Sequence, residues 1–275
     1  METSLELVEV APGIHYPRAL AAHWEEIKKT KRPFIKIEAT PGFPENLSAS
    51  KFGGYPCIPK GFTWPVDSEG NYLYPLAQIN FSELPPLEGY PTSGFLQFYI
   101  STNDIYGINF DDKQQQTDFR VLFFEESELS NPEDNFDFLD ETMTSENTPL
   151  SSPHVLHFTA KDDYVGMADF KGGDTPSGIN ITELIEQTPP VTAKLENFIW
   201  NEFIGNGHKI GGYAYFTQYD PREEGEPSED YILLLQIDSD EKIMWGDAGV
   251  GNFFIHPDDL AMKDFSKVIY NWDCA

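Results

Sequence analysis

The sequence predicts an α+β fold made of two diverged copies of a β-rich unit, with mainly antiparallel sheets and a few covering helices packed about a pseudo-twofold axis. Three observations predict it. Apolar runs of strand length recur, helical periodicity is rare, and blocks of sequence return in the same order at a nearly fixed spacing. Because one such unit has few strands and would be marginally stable alone, we expect one compact domain over residues 1–275.

Helical periodicity is confined to three segments, 17–31, 180–188 and 192–204. The first has Pro17 near its first turn and a basic C-terminal end, which suits the helix dipole. A capping-box pattern opens the second, and Gly205 follows the third as a natural C-terminal stop. We expect these helices to cover the sheets.

The remaining apolar runs have the length of strands, and the short links between consecutive runs favour antiparallel pairing. The predicted strands are Phe34–Ile37, Leu76–Ile79, Phe95–Ile100, Phe119–Phe124, Val155–Phe158, Tyr231–Ile237, Asn252–Ile255 and Lys267–Tyr270.

An internal repeat is the most informative feature of the chain. A Lys-x-Gly-Gly-Tyr motif, an apolar strand with a central glutamine and an aromatic strand occur in this order twice, at 51–55, 76–80 and 94–100, and again at 209–213, 234–238 and 249–255. The first two blocks share one offset (209 − 51 and 234 − 76 are both 158), and the third differs from it by a short deletion (249 − 94 is 155). Three matched blocks in order indicate a duplication.

The repeat sets the expected boundaries. We place the two copies at about 33–124 and about 180–273, joined by an acidic linker at about 125–150. A second acidic segment, 220–230, falls between the Gly-Gly motif and the glutamine strand of the second copy. Solvated, self-repelling loops are the usual outcome for such charge runs.

The charge of the chain restricts its partners. Lys and Arg number 18 against 46 Asp and Glu, a formal net charge of −28. Such a surface repels nucleic-acid phosphates and anionic lipid heads, so we expect neither as a partner. It would attract a basic protein, although the charge is equally compatible with a role in solubility alone.

The chain is expected to be cytoplasmic. Its N-terminus lacks the basic start and apolar run of a signal peptide, and no apolar stretch is long enough to span a bilayer. Two cysteines, Cys57 and Cys274, are too few for a disulfide framework and are expected to be reduced thiols.

The duplicated Lys-x-Gly-Gly-Tyr motif has two readings. Glycine pairs permit positive φ and close backbone approach, so the motif predicts a tight turn packed under Tyr55 and Tyr213. The alternative is an anion nest of backbone N–H groups with a lysine beside it. Its residues would be Lys51, Gly53, Gly54, Lys209, Gly211 and Gly212.

A second candidate site is a cleft between the two copies. Gln78 and Gln236 lie in otherwise apolar strands, where a buried amide must be hydrogen-bonded. They would be structural amides or the polar floor of a cleft. The Trp-Gly-Asp stretch at 245–247 combines an aromatic ring, a carboxylate and a permissive glycine in one loop, although such an Asp often only forms a turn. The candidate cleft is Tyr55, Gln78, Tyr213, Gln236, Trp245 and Asp247.

No metal site or cofactor is predicted. His154 and His157 are three residues apart in a predicted strand and would face opposite sides of it. The acidic stretch from Asp238 to Asp240 resembles the start of a calcium loop, but the glycine and glutamate that complete such a loop are missing. The motifs HExxH, CxxC and GxSxG do not occur, so no catalytic residues are assigned.

The ordered set of motifs resembles the YwqG-like family over nearly the whole chain, from about Phe34 to Tyr270. The matching blocks are 51–55, 76–81, 94–98, 209–213, 234–239 and 245–247. The family is a bacterial domain of unknown function without established catalytic residues. The resemblance implies a cytoplasmic α+β protein with an internal duplication. Relatives are sometimes found near polymorphic toxin genes, which implies an immunity-like role.

Two functions follow from these observations. The first is a non-enzymatic protein-binding module, immunity-like, whose acidic surface neutralises a basic partner. The alternative is an enzyme or small-molecule binder that uses the candidate cleft between the two copies. The first is preferred because no nucleophile, base or metal set stands out.

Overall fold

The computed structural model describes residues 5–164, 166, 168–169, 192–222 and 227–275. Strands dominate this part of the chain. They are β1 Leu7–Ala11, β2 Ile14–Pro17, β3 Arg32–Pro41, β4 Lys51–Phe52, β5 Tyr74–Asn80, β6 Phe95–Ile100, β7 Phe119–Phe124, β8 His154–Asp163, β9 Lys209–Gly211, β10 Ile232–Asp238, β11 Val250–Ile255 and β12 Ile269–Asp273.

The described helices are few and mostly short. They are α1 Arg18–Ala21, α2 Trp24–Ile27, α3 Asp140–Met143, α4 Thr192–Phe203 and α5 Pro257–Ala261. Helix α4 confirms the third predicted helix. The helix expected over 17–31 is broken instead, because the His23 amide bonds the Leu20 carbonyl three residues back and ends α1, and 28–30 continues α2 as a 3-10 turn. The helix predicted from 180 lies outside the described residues.

Strands β3 to β12 form one mainly antiparallel sheet in the order β12-β11-β10-β9-β3-β8-β4-β5-β6-β7, and β1 and β2 form a small separate sheet. The predicted antiparallel pairing is confirmed, and each of the eight predicted strands overlaps an observed one, although β12 begins at Ile269 and not at Lys267 and extends to Asp273. Four short strands were not predicted. Two of them, β4 and β9, begin the Lys-x-Gly-Gly-Tyr motifs and are only two and three residues long.

The centre of the sheet joins elements that are distant in the chain. Strands β3 and β8 pair over ten residues, from Arg32 opposite Asp163 to Pro41 opposite His154. Strand β3 precedes β4 in the chain but pairs on its other side with β9, whereas β8 precedes β9 but pairs with β4. The strands β4 to β7 therefore lie on one side of the central pair, and β9 to β12 lie on the other.

One apolar core connects the two sides of the sheet. Its buried residues come from both β4–β7 and β9–β12, and the rings of Phe98 on β6 and Phe253 on β11 lie 4.7 Å apart. The sheet is nearly closed, because Phe119 on the edge strand β7 contacts Tyr270 on the opposite edge strand β12, with ring centroids 5.1 Å apart. We call this junction the seam.

Smaller apolar clusters lie outside this core. Helices α1, α2 and α4 pack on one another around Tyr16, and loop residues such as Trp64 and Phe136 cover β6 and β7. No helix of the described residues is long and apolar enough to cross a membrane.

Candidate functional site

The side-chain amide of Gln78 fastens a loop to strand β5. Its Nε2 donates to the carbonyls of Leu47 and Ala49, at 2.8 and 2.9 Å, and its Oε1 accepts from the Cys57 amide at 2.7 Å. The residue is buried. Because a buried amide without partners would cost on the order of 1–3 kcal/mol, these contacts give Gln78 a structural role in holding residues 47–57.

Gln236 makes the corresponding contacts on β10. Its Nε2 donates to the carbonyls of Gly205 and Gly207, at 2.9 and 2.7 Å, and its Oε1 accepts from the Tyr215 amide at 2.8 Å. Each partner lies 158 residues beyond its counterpart around Gln78 (205 − 47, 207 − 49 and 215 − 57). In the sheet, β10 and β5 are separated by β9, β3, β8 and β4, so the two glutamines serve two different loops.

The two Lys-x-Gly-Gly-Tyr motifs are tight turns with all four glycines at positive φ, between 65° and 74°. In the second motif a carboxylate of the chain lies in the turn. Asp163 accepts from Lys209 Nζ at 2.8 Å and from the Tyr213 amide at 3.1 Å, and a Cβ on Gly212 would collide with it. This loop therefore binds an anion that the protein itself supplies.

In the first motif the lysine has no carboxylate partner among the described residues. Lys51 is buried and its Nζ donates to the carbonyls of Leu47 and Tyr55, at 2.7 and 3.0 Å. Burial lowers the pKa of Lys51 to about 8, and the nearby ionisable groups Cys57 and Glu83 oppose this shift only in part. The lysine holds the loop by hydrogen bonds to neutral groups.

The other predicted cleft residues have separate neighbours. Tyr55 is partly exposed and stacks on Phe136 at 4.8 Å, whereas Tyr213 is buried and donates to the Thr30 carbonyl at 2.7 Å. Trp245 is fully buried in an aromatic cluster. Asp247 is exposed, and its backbone carbonyl accepts from the Ala275 amide at 3.1 Å. A joint role for the six residues as a ligand cleft stays a prediction.

The predicted opposite orientation of the two strand histidines is observed. His154 is completely buried, and His157 is exposed. Burial lowers the pKa of His154, and it also lowers that of His208, whose Nε2 lies 3.2 Å from Asp240 Oδ2. Within the described ranges, no three histidine, cysteine or acidic side chains are placed to hold a metal ion. Both cysteines are free.

A large groove lies beside the seam. It has a volume of about 1080 Å³ and runs between the β6–β7 loop on one side and α5 with the segment leading to β12 on the other. We call it the seam groove. Its lining includes Phe110, Asp111, Asp112, Lys113, Gln114, Asp230, Tyr231, His256, Asp258, Asp259, Met262, Lys267 and Ile269.

Hydrogen bonds across the seam fix the wall that the β6–β7 loop provides. The Tyr270 amide donates to the Lys113 carbonyl at 3.0 Å, and Lys113 Nζ donates to the Asn271 side chain. Gln114 Nε2 donates to Tyr231 Oη at 2.7 Å and to the Lys267 carbonyl at 3.1 Å. The groove is therefore a preformed feature of the nearly closed sheet.

The rim of the groove is both apolar and acidic. Phe110 and Met262 are 67% and 68% exposed, which is unusual for side chains of this size that lie in one depression. Asp111, Asp112 and Asp258 are also exposed at the rim. Five carboxylates and two amines line the groove, so its potential is negative.

The long acidic segment 125–150 that the sequence shows does not line the seam groove. In the segment 125–150, Glu133 accepts from three backbone amides, and these hydrogen bonds lower its pKa, whereas Glu125 pairs with Lys263 at 2.5 Å. The carboxylates at the groove come mostly from residues 111–112 and 258–259. The adjacent Asp pairs at 111–112 and 258–259 are local signals for them, but neither pair reveals that β12 lies beside the β6–β7 loop.

These features define a mainly antiparallel β-sheet protein whose nearly closed sheet carries an acidic groove at its seam. The family described as "Domain of unknown function (DUF1963)" matches residues 50–274. The chain belongs to this family. No curated protein matches the chain.

Proposed function

We propose that this protein is a non-enzymatic, immunity-like binding module that recognises a basic segment of a partner protein in the seam groove. The observation that carries the proposal is the combination of exposed Phe110 and Met262 with the exposed carboxylates of Asp111, Asp112 and Asp258 around one groove of about 1080 Å³. The formal net charge of −28 supports a cationic partner.

Charge and apolar contact have separate tasks in this proposal. Exposed ion pairs contribute roughly 0.2–1 kcal/mol each and weaken as salt screens them. They steer the partner and raise the association rate. Burial of Phe110 and Met262 against apolar side chains of the partner adds affinity that salt does not screen. A segment with alternating basic and apolar residues fits both requirements.

The experiment measures binding of a synthetic peptide of alternating lysine and leucine to the full chain at low and high salt. The triple substitution Asp111→Asn, Asp112→Asn, Asp258→Asn should weaken binding at low salt about tenfold, because three pairs of about 0.5 kcal/mol each are lost. Substituting Phe110→Ser and Met262→Ser should weaken binding at both salt concentrations.

A matched control removes the same charge outside the groove. Asp137, Glu141 and Glu146 are exposed in the acidic segment, and changing them to Asn, Gln and Gln alters the net charge by the same three units. If both triple variants lose the same affinity, the effect comes from the overall charge of the protein, which would contradict a binding site in the groove. Binding that is indifferent to salt would contradict a basic partner.

We infer that the chain arose by duplication of one β-rich unit, with copies at about 33–124 and 180–273 around a pseudo-twofold axis. The matched hydrogen bonds of Gln78 and Gln236 support this history. So does the mirrored strand order on the two sides of the β3–β8 pair. In this history β3 of the first copy pairs with β9 of the second, and β8, which precedes the second copy in the chain, pairs with β4 of the first. Separate expression of residues 33–124 should give an unfolded chain, because the fragment lacks β8.

A cytoplasmic location is part of the same proposal. So is the exclusion of nucleic acid, which the charge of the chain supports. The YwqG-like identity stays a prediction beside the DUF1963 match. A retardation assay with duplex DNA at low salt tests the exclusion, and a retarded complex would contradict it.

A further inference from the structure

A second, smaller pocket of about 350 Å³ lies at the free edge of β7. We call it the β7-edge pocket. Val121 and Phe123 of β7 contribute apolar surface, and Phe265 faces them with its ring stacked on Phe123 at 5.6 Å. Gln116 fixes the two walls, because its Oε1 accepts from the Val121 amide at 2.8 Å and its Nε2 donates to the Phe265 carbonyl at 2.6 Å. The volume suits a small organic molecule.

The polar lining of this pocket is cationic, in contrast to the rest of the protein. Arg120 and Lys263 both line it, and no carboxylate does. In a chain with 18 basic and 46 acidic residues, such a pair stands out against the overall charge. The net negative charge of the protein repels anions, so two cationic residues that line one pocket would have to act at short range.

Arg120 has unused hydrogen-bonding capacity. Its Nε is buried and has no hydrogen-bond partner, and no ion pair within the described part of the chain involves Arg120. A buried donor without a partner costs free energy that a bound acceptor would recover. The planar guanidinium offers the paired N–H groups that match the two oxygens of a carboxylate.

The position of Lys263 is fixed by its backbone conformation and by two side-chain contacts. Its backbone has φ of 56°, in the left-handed region just after α5, and its Nζ lies 4.8 Å from the centre of the Phe123 ring. Its Nζ also contacts Glu125 at 2.5 Å, and both side chains of this pair remain partly exposed. Glu125 therefore competes with any anion that enters the pocket.

We propose that the β7-edge pocket binds a small organic carboxylate with an aromatic or branched apolar body. The carboxylate contacts Arg120 and Lys263, and the apolar body packs between Val121, Phe123 and Phe265. A monoanion is favoured over a phosphate dianion because the net charge of the protein repels the second charge more strongly. This site is independent of the seam groove, since the two share no lining residue.

Titration of the ¹⁵N-labelled full chain with benzoate tests the site, with benzamide as the neutral isostere. Benzoate should give saturable shifts of the backbone amides of 120–123 and 263–266, and benzamide should bind about tenfold more weakly or less. Arg120→Gln should weaken benzoate binding about tenfold, and Arg120→Lys should weaken it less because the charge remains. Lys263→Gln should also weaken it.

Two further variants make the test specific. Glu125→Gln should strengthen benzoate binding several-fold, because it removes the carboxylate that competes for Lys263. Lys242→Gln changes an exposed lysine outside the pocket by the same charge and should leave the affinity unchanged. Preserved amide dispersion in each variant shows that the fold is intact.

Three results would overturn the proposal. One is the absence of saturable shifts with benzoate, and another is equal binding of benzamide. The third is a shift confined to the Trp64 indole N–H, which would place the anion in the neighbouring pocket that Arg120 also lines, beside Phe62 and Trp64.

Discussion

Gln78 and Gln236 hold their loops by the same three hydrogen bonds, two from the amide nitrogen to backbone carbonyls and one from a backbone amide to the amide oxygen. Both side chains are buried. The strands β4 and β9 are too short to hold the loops before and after them by backbone hydrogen bonds. Gln78 and Gln236 supply these hydrogen bonds from their side chains. The pairing of β4 with β5 spans only two residues, which makes this fastening necessary.

We therefore expect Gln78→Ala and Gln236→Ala to destabilise the protein by similar amounts, about 3 kcal/mol each, because each leaves three backbone groups at partly buried or buried positions without partners. Urea unfolding of the full chain measures this. Gln115→Ala, at an exposed position, should change the free energy of unfolding by less than about 0.5 kcal/mol. A loss at Gln78 no larger than at Gln115 would argue against the fastening role.

The two buried lysines should respond differently to removal of their charge. Lys209→Met leaves the carboxylate of Asp163, only 18% exposed, without its cation, so we expect a loss of about 3–5 kcal/mol. Lys51→Met removes a buried charge that has only carbonyl partners, so the lost hydrogen bonds are offset by the avoided desolvation and the loss should stay below about 2 kcal/mol. Thermal or urea unfolding measures the loss of stability in the two variants. A larger loss for Lys51→Met than for Lys209→Met would contradict this prediction.

The lowered pKa of Lys51 also gives a distinct dependence on pH. Between pH 8 and about 10.5 the unfolded chain keeps a proton on Lys51 that the folded chain has lost, so the free energy of unfolding gains a contribution that rises with pH. The wild-type protein should therefore become more stable relative to Lys51→Met across this window. Parallel pH profiles of the two proteins would show that Lys51 titrates normally.

Acid should weaken the fold through its buried histidines. Burial lowers the pKa of His154 and of His208, so below about pH 6.5 the unfolded chain binds protons at these residues that the folded chain does not. The free energy of unfolding should fall as pH drops from 7 to 5, and His154→Leu should reduce this fall. The matched exposed variant His157→Leu should not, and an equal effect of both would contradict the role of burial.

The strands can be predicted from the sequence because their apolar and aromatic side chains form recognisable runs. The aromatic run of β6 and the apolar run of β10 are buried on both faces, and a continuous apolar run indicates such strands. The predictions for β3 and β8 are shorter than the observed strands because both strands contain exposed residues that interrupt the apolar pattern. In β3 these include Lys36, Glu38 and Thr40, and in β8 they include residues 159–162. The two-residue strand β4 has no periodicity to detect.

The site was less accessible to prediction. The glutamines were singled out correctly as buried amides that need partners, but their partners are backbone groups that no sequence pattern names. The seam groove depends on β12 lying beside Lys113, a contact across more than 150 residues of chain. The net charge predicted an acidic surface and could not show which carboxylates surround exposed apolar side chains.

Hydrogen–deuterium exchange of the full chain with and without the lysine–leucine peptide tests the proposed binding site most directly. We predict that the peptide protects amides in 110–114 and 256–269, on the two walls of the seam groove, and leaves 133–147 unchanged. Protection confined to residues 133–147 of the acidic segment, or no protection at concentrations that saturate binding, would contradict the seam groove as the site for a basic partner.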